Sequence, residues 1–210
     1  MTDILHFTHL DNLATIIQDG GLYSDAEIIR LQRKTARSGN AQIKQRRLSQ
    51  PIHSGVGMGG YVGEYVPFYF APRSPMLYII QCGAVPGVSS DQDQIVYLVS
   101  NALAFAAPSF VVTDGNAAAT LTRHYGTHAA LQTQVDWALM KSTYWNDTDQ
   151  DGDRKRRRSA EFLVHRFVQW PSISELVTRT SATQQAVLAL YSQLSPGHQP
   201  PIHVRSSWYY

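Results

Sequence analysis

One carboxylate lies at a position in the sequence that suits a catalytic group. Glu161 follows the basic run Arg154–Arg158 and precedes the apolar run Phe162–Val168, whose aromatic and β-branched residues predict a strand. The stretch Asn146–Asp153, rich in Asp, Asn, Thr and Gly, predicts the loop before it. A loop above a buried strand end keeps a reactive group both rigid and reachable. Glu161 is therefore a candidate catalytic residue, and a solvated charge that balances its basic neighbours is the alternative.

Polar side chains also gather where the first predicted strand meets the first predicted helix. Ile4–Thr8 predicts a strand, and a helix capped near Asn12 follows it until a pair of glycines ends it. Backbone donors at a helix start favour an anionic or polyhydroxyl ligand, so His6–Asn12 is a candidate binding segment. Ordinary core or surface positions are the alternative for its two histidines.

Arg73 lies in a predicted turn with Pro72 before it and Pro75 two residues later. The prolines restrict the backbone of the turn, so this guanidinium is held more rigidly than an arginine on an exposed helix. Two interpretations remain open from these residues alone. Arg73 either binds a ligand or pins the carbonyl groups of its own turn.

Basic residues are concentrated in two regions of a chain whose formal net charge is only +2. Lys and Arg crowd into Arg30–Arg47 and into Arg154–Arg158. Such patches favour partners that carry phosphate. A solvated face without a partner is the alternative for both regions.

Several other classes of protein are poorly supported by the sequence. The single cysteine, Cys82, lies in an apolar run, which predicts a small buried hydrophobe and excludes both a disulfide and a cysteine metal site. His124 and His128 have the spacing of two metal ligands on one helix face, but Gly126 interrupts them and no third ligand is evident, so no metal is expected. No stretch has the length or pattern of a membrane span or signal peptide, and a cytoplasmic setting is expected.

The remaining patterns predict an α+β domain that spans all 210 residues as a single unit. Further predicted strands are Tyr65–Phe70, Met76–Cys82, Gln94–Val99, Phe110–Thr113 and Ile202–Val204. Predicted helices are Asp25–Ala36, Asn116–Tyr144 and Ser172–Leu194, and Arg37–Ser54 is predicted to be an irregular loop. Short strands between helices of unequal length indicate a small split sheet with flanking helices.

Four separated segments of the chain resemble one family, the DarT family of DNA ADP-ribosyltransferase toxins, which are partners of macrodomain antitoxins. These segments are residues 6–13, 66–77, 125–128 and 160–164. The string Pro-Phe-Tyr-Phe-Ala-Pro-Arg-Ser-Pro-Met, residues 67–76, is the specific one. The resemblance implies the ADP-ribosyltransferase fold, NAD as the donor, no metal, and transfer of ADP-ribose to a base of single-stranded DNA, most often thymine.

The resemblance also implies roles for the candidate residues. Glu161 would stabilise the positive charge that develops on the ribose as nicotinamide leaves. Arg73 would bind phosphate or ease deprotonation of the base nitrogen. The residues expected to bind NAD are Thr8, His9, Asn12, Arg73 and, as a more remote cleft residue, His128.

The loop from Tyr144 to Ser159 occupies the place where this superfamily recognises its acceptor. Its basic residues suit a DNA backbone, and the expected DNA contacts are Arg154, Lys155, Arg156, Arg157 and Arg158. Two alternatives stay open. The chain could transfer ADP-ribose to another acceptor, such as guanine, RNA or a protein side chain, or it could be a nucleic-acid-binding module without chemistry.

Overall fold

Ten strands form the framework of the computed structural model, which describes residues 2–33, 41–85, 87 and 89–210. The strands are β1 (Asp3–His9), β2 (Gly21–Tyr23), β3 (Tyr65–Tyr69), β4 (Ile95–Asn101), β5 (Phe110–Thr113), β6 (His124–Tyr125), β7 (Glu161–His165), β8 (Phe167–Gln169), β9 (Ile173–Thr178) and β10 (Ile202–Val204). Eight of them form a mixed sheet in the order β10-β9-β4-β1-β3-β7-β5-β6, and β2 pairs with β8. In the described part of the chain, no helix is long and apolar enough to cross a membrane.

The large sheet opens between β1 and β3. β1 pairs with β4 along its whole length, but it pairs with β3 at one position, Leu5 opposite Tyr69. Pro67 lies in the middle of β3 and has no backbone N–H to donate across this boundary. Instead, the Nδ1 atom of His6 donates to the Pro67 carbonyl at 2.8 Å. The weak pairing leaves a cleft between the two halves of the sheet.

Apolar side chains cover both faces of this sheet. Alternate residues of β1 point to opposite sides, so Ile4 belongs to one buried cluster and Leu5 to the other. Leu13 packs in the first cluster and Leu77 in the second. Since both faces are covered, β5 is buried at every position and β4 at every position but its last.

Eight helices lie in the described residues: α1 (Leu13–Gln18), α2 (Asp25–Arg30), α3 (Ala41–Ser49), α4 (Pro75–Gln81), α5 (Ala129–Thr133), α6 (Trp137–Met140), α7 (Arg154–Arg158) and α8 (Ser181–Leu194). The combination of a mixed sheet and flanking helices confirms the predicted α+β class. The predicted strands near the start of the chain, before α4, around β4 and β5 and at residues 202–204 are also confirmed.

The predicted strand Met76–Cys82 is wrong, because these residues form α4. Ser74 caps this helix by accepting a hydrogen bond from the Leu77 backbone N–H at 3.2 Å, and Pro75 occupies its first position. A short apolar run does not distinguish a strand from a buried helix, and here the Ser74 cap favours the helix. Cys82 follows the helix and is exposed, so the prediction that it is buried is also wrong.

Two long predicted helices are shorter than expected. Ser172–Leu194 begins with the strand β9, and its helix starts only after Thr180, whose side chain accepts from the Thr183 backbone N–H. Asn116–Tyr144 contains a short strand and two short helices instead of one long helix. In both segments helical spacing of apolar residues was overridden by pairing with the sheet.

The region between α2 and β3 was predicted least well. Helix α2 covers only the first half of the predicted helix Asp25–Ala36, and residues 34–36 lie outside the described residues. Arg37–Ser54 was predicted to be irregular, but its described part contains the helix α3. This helix carries a residue of the candidate site.

Candidate active site

Glu161 is the first residue of β7 and is 1% exposed. Its Oε2 atom accepts a hydrogen bond from Nη1 of Arg47 at 2.7 Å, and its Oε1 atom accepts one from the Ala117 backbone N–H at 2.9 Å. The Glu161 backbone N–H donates to Oγ1 of Thr113 at 2.8 Å. Strand pairing and these three bonds fix the carboxylate at the end of the sheet.

Arg47 is the cation that compensates this carboxylate. It lies on α3 and is 7% exposed, so both charges of the pair are buried. Burial opposes the charge on Arg47, but the Glu161 carboxylate outweighs it and raises the pKa of the guanidinium. The Nη2 atom is buried and has no hydrogen-bond partner among the described residues. A buried guanidinium with an unused donor is suited to an anionic ligand.

Arg47 lines the cleft at the split in the sheet, and Glu161 adjoins the cleft as its buried ion-pair partner. Residues of β1, β3 and the helices α1 to α4 line it, and they include Thr8, Asn12, Arg47, Tyr69 and Met76. Tyr69 lies opposite Glu161 in the β3–β7 register. Burial, reinforced by the Glu161 carboxylate, raises the pKa of the Tyr69 phenol, which therefore stays protonated.

His6, Thr8 and Asn12 form the polar wall of the cleft. The Nδ2 atom of Asn12 donates to Oγ1 of Thr8 at 3.0 Å, and both residues are buried. Burial lowers the pKa of His6 to about 4, so its ring is neutral near pH 7. Since Nδ1 donates to Pro67, the other ring nitrogen of His6 is an acceptor. The wall therefore offers neutral donors and acceptors in the same cleft as the Arg47 guanidinium.

The structure brings only part of the predicted NAD-binding set to this wall. Thr8 and Asn12 line the cleft, as the sequence predicted for a ligand at the end of the first strand. His9 lies next to Thr8, but its ring accepts a hydrogen bond from the Asp11 backbone N–H at 3.2 Å and caps the short turn Leu10–Asn12. Its position supports the turn that carries Asn12.

His128 lies at the other end of β5 from the candidate site. Its ring centroid is 4.4 Å from that of Phe110, at the start of β5, and its Nε2 atom is 3.1 Å from the Ala102 carbonyl oxygen. Thr113, which bonds Glu161, is at the end of the same strand. The structure therefore does not bring His128 to the cleft.

Arg73 occupies the turn after β3, with a backbone φ of 54° that is unusual for a residue with a side chain. Its Nε atom donates to the Tyr209 carbonyl at 2.9 Å, and its own carbonyl accepts from the Tyr210 hydroxyl at 2.7 Å. The guanidinium carbon lies 5.8 Å from the centre of the Tyr210 ring. Arg73 thus belongs to the surface beside the cleft, and its turn is held by the last residues of the chain.

The basic run forms the helix α7, and most of its side chains have partners within the fold. Arg158 is 4% exposed, and its Nη2 atom donates to the Pro72 carbonyl at 2.7 Å. Arg156 forms ion pairs with Asp153 at 2.7 Å and with Asp114 at 2.9 Å.

The other three basic residues of α7 face the preceding loop. Arg157 pairs with Asp151. Arg154 donates to backbone carbonyls of that loop, at Tyr144 and Asn146. The Lys155 side chain is 56% exposed and its amino group lies 3.8 Å from an Asp147 oxygen. Of the five residues expected to bind DNA, Lys155 has the weakest internal attachment.

Arg47 is the site residue that the sequence did not reveal. It lies in a stretch with no specific motif, and a surface patch was the natural interpretation of its basic neighbours. The sequence did contain one signal: Ile43 and Arg47 are four residues apart, which is the spacing of one helix face. In the structure both side chains line the cleft.

The site combines an open cleft with a buried carboxylate, Glu161, whose ion-pair partner Arg47 lines that cleft, and this arrangement suits an enzyme better than a binding module. The family model "ssDNA thymidine ADP-ribosyltransferase, DarT" matches residues 5–210. This chain belongs to the DarT family, and it is a transferase that attaches ADP-ribose to single-stranded DNA. The predicted family and activity are confirmed.

Two solved structures of Thermus sp. 2.9 DarT resemble this chain over its whole length. The structure in complex with ADP-ribosylated ssDNA has a TM-score of 0.88 and 31% identity, covering 100% of this chain and 96% of that one. The structure in complex with NAD+ has a TM-score of 0.85 and 30% identity, covering 100% and 98%. A Thermosipho africanus DNA ADP-ribosyl transferase-DNA ADP-ribosyl glycohydrolase fusion protein is 28% identical over 166 residues, which are 79% of this chain and 39% of the fusion protein.

Proposed function

We propose that this protein transfers ADP-ribose from NAD to thymine in single-stranded DNA and releases nicotinamide. The glycosidic bond between the ribose C1′ atom and nicotinamide breaks, and a bond from C1′ to a nitrogen of the base forms as that nitrogen loses its proton. The observation that carries the proposal is the buried Glu161–Arg47 pair, whose arginine lines the cleft. The Thermus relative, solved with NAD+ and with ADP-ribosylated ssDNA, supports the choice of donor and acceptor.

Glu161 acts in the proposal as the electrostatic partner of the reacting ribose. As nicotinamide departs, positive charge develops on the ribose, and a carboxylate that is already oriented stabilises it without reorganisation. Arg47 and the Ala117 backbone N–H keep the carboxylate ionised and aimed. The unused Nη2 donor of Arg47 then binds a phosphate oxygen of NAD.

The polar wall of the cleft binds the nicotinamide half of the donor. Thr8 and Asn12 have the hydroxyl and amide groups that match the carboxamide and the ribose hydroxyls. His9 contributes through the turn that it caps, whereas His128, which packs on Phe110, has no direct part in binding the donor. The proposal involves no metal.

Arg73 and α7 form the acceptor side of the proposed site. Arg73 lies in the turn after Tyr69, and α7 ends just before Glu161, so both border the reacting position. We assign Arg73 to the DNA or to the base nitrogen rather than to the cleft. Lys155 is the member of the basic run with the greatest freedom to bind phosphate, and Arg154 bonds backbone carbonyls rather than a carboxylate, so its charge is available as well.

The proposed activity also implies a role for the protein as a toxin. A transferase that modifies template DNA blocks replication, so we expect a toxin that acts in the cytoplasm with a macrodomain antitoxin as its partner. In the Thermosipho africanus relative, a DNA ADP-ribosyl glycohydrolase is fused to the transferase. We also propose that residues 1–210 act as one domain, because the sheet draws strands from both ends of the chain.

The test is transfer to oligonucleotides of known base content. The protein is incubated with NAD and single strands that contain one kind of base each, and the products are weighed by mass spectrometry. We expect one added ADP-ribose on the thymine strand and an equal amount of released nicotinamide. Modification of a guanine strand, of RNA or of protein instead would contradict the proposed acceptor, and the absence of nicotinamide release would contradict the proposed donor.

A further inference from the structure

An aromatic cluster lies on the acceptor side of the fold and takes no part in the chemistry described above. Its central residue is Tyr78 on α4, which is 44% exposed. The Tyr78 ring centroid lies 5.7 Å from that of Trp145 and 5.2 Å from that of Tyr210, with interplanar angles of 82° and 66°. Two nearly perpendicular neighbours fix the orientation of the exposed ring.

Tyr210 joins this cluster to the Arg73 turn. Its hydroxyl donates to the Arg73 carbonyl at 2.7 Å and accepts from the Trp145 indole N–H at 3.2 Å. Its backbone N–H donates to Oε1 of Gln92 at 2.9 Å. Three segments that are distant in sequence are therefore held around one ring, so the surface is formed before any ligand arrives.

A cation with unused donors lies at the edge of the cluster. Within the described residues, Arg73 has no carboxylate within ion-pair distance, and its two terminal nitrogens make no hydrogen bond. Arg154 lies near the other edge, where its guanidinium holds the Tyr144 carbonyl beside Trp145. Exposed aromatic rings interleaved with guanidinium groups are the typical surface for single-stranded nucleic acid.

The geometry of α4 indicates which part of the strand binds here. Met76 lines the donor cleft, and Tyr78 is two residues further along the same helix. Two residues correspond to about 200° around a helix, so the two side chains lie on opposite sides of a cylinder about 10 Å wide. Arg158, three residues before Glu161, donates to the Pro72 carbonyl and so holds the turn before α4 beside the reacting position. The aromatic cluster is therefore close to the reacting base but cannot hold it.

We propose that Tyr78, supported by Tyr210 and flanked by Arg73, forms a stacking site for a base that neighbours the modified nucleotide. This inference rests on the proposed function, because it assigns the neighbour of the reacting base to a surface beside the same cleft. Stacking accepts any base, so the site contributes affinity and register more than sequence preference. The phenol hydroxyl of Tyr78 is not needed for it.

The experiment combines protein variants with oligonucleotides that lack one base. A single strand with one thymine is compared with strands that carry an abasic position on its 5′ or its 3′ side. Affinity is measured by fluorescence anisotropy without NAD, and KM and kcat for transfer are measured with saturating NAD. The variants are Tyr78→Ala, Tyr78→Phe and the control Tyr61→Ala, which removes an aromatic ring of similar exposure, 48%, outside the aromatic cluster.

We expect Tyr78→Ala to weaken binding of the intact strand by about 5- to 100-fold, the range found for loss of one stacked base. One of the two abasic strands should show the same loss with the wild-type protein, and Tyr78→Ala should then add less than about twofold on that strand. Tyr78→Phe and Tyr61→Ala should bind as the wild type does. KM for NAD, measured separately at saturating DNA, should be unchanged in all variants.

Three results would overturn the inference. They are equal affinity of Tyr78→Ala and wild type for the intact strand, the same loss for Tyr78→Ala on intact and abasic strands, and a matching loss in the Tyr61→Ala control. Anisotropy needs no transfer, so the stacking site is tested even if the proposed acceptor is wrong. Thermal melting of each variant identifies any loss that comes from unfolding.

Discussion

Helices α3 and α7 are both rich in basic residues, yet their cations have opposite surroundings. On α3, Arg47 enters the fold and pairs with Glu161, a residue 114 positions away in the sequence. On α7, Arg156 and Arg157 pair with aspartates of the loop that directly precedes the helix. One helix supplies a charge to a buried carboxylate of the sheet, and the other uses its charges to hold its own loop.

The difference shows what decides the role of a basic run. The aspartates of Asn146–Asp153 lie next to α7 in sequence, so the helix and its loop neutralise each other locally. Helix α3 has no such loop beside it in the described residues, and Lys44 pairs with Asp25 while Arg47 reaches the sheet. The position of the nearest carboxylates, rather than the number of arginines, separates a binding surface from a structural one.

The largest effect on the rate of transfer is expected at Glu161, the carboxylate that pairs with Arg47 of α3. Glu161→Gln keeps the size of the side chain but removes the charge that faces the developing cation, so transfer should fall about a hundredfold or more. NAD affinity, measured by calorimetry, should change little. A variant that keeps more than about a tenth of the wild-type rate would contradict the assignment of Glu161.

The next effect tests whether Arg47 compensates Glu161. Arg47→Met leaves a buried carboxylate without its cation and should lower the free energy of unfolding by roughly 3 kcal/mol. The double variant Arg47→Met, Glu161→Gln should recover most of that loss, because no buried charge is left unpaired. Urea unfolding measures both, with Lys44→Met as a control in a more exposed pair. Additive losses in the double variant would mean that the pair is not coupled.

A smaller effect separates two arginines of the same helix. Arg158 is buried and bonds the Pro72 carbonyl, so Arg158→Met should cost about 1 to 3 kcal/mol of stability by leaving that acceptor unsatisfied. Arg154→Ser, at the exposed end of α7, should cost less than about 1 kcal/mol. Unfolding curves of the two variants give the comparison. If Arg158→Met is as stable as wild type, the buried guanidinium does not support the Arg73 turn.

Much of the sheet could be predicted from sequence because its strands are short apolar runs with clear turn residues around them. The strands that contain Thr8 and Tyr69 and the start of the strand at Glu161 were predicted within one or two residues. These elements position the carboxylate and the polar wall of the cleft. In these strands the local residue pattern agrees with the pairing in the final sheet, so the sequence alone was enough to predict them.

The rest of the site depends on contacts between distant segments, which local patterns do not encode. Nothing near Arg47 in the sequence indicates that its partner is Glu161. The role of Arg158 as a buried side chain was hidden by its four basic neighbours. The exposed Tyr78 was hidden by the prediction of a strand, since only a helix places Met76 and Tyr78 on opposite sides.

The pH dependence of stability tests whether the buried ring of His6 is neutral in the folded protein. Burial lowers the pKa of His6, which lines the same cleft, from 6.5 to about 4. Between these values the unfolded chain binds the proton and the folded chain does not, so stability should fall as pH decreases from about 6.5 to 4. For His6 alone the loss is on the order of 1 kcal/mol per pH unit. His6→Asn should reduce the slope, measured by urea unfolding at pH 5 and 7, whereas His203→Asn, at an exposed position, should not.

The smallest expected effect concerns the salt dependence of DNA binding and separates the paired from the weakly attached residues of α7. Lys155→Ser removes an exposed cation, and if it contacts a phosphate the slope of log K against log salt should flatten by about 0.7 for a single strand. Arg156→Ser should change the slope by much less, because its charge is already balanced by Asp114 and Asp153. Anisotropy titrations at several salt concentrations give both slopes. Equal flattening in the two variants would mean that the ion pairs of Arg156 open when DNA binds, and α7 would then resemble α3 in offering its charge to a ligand.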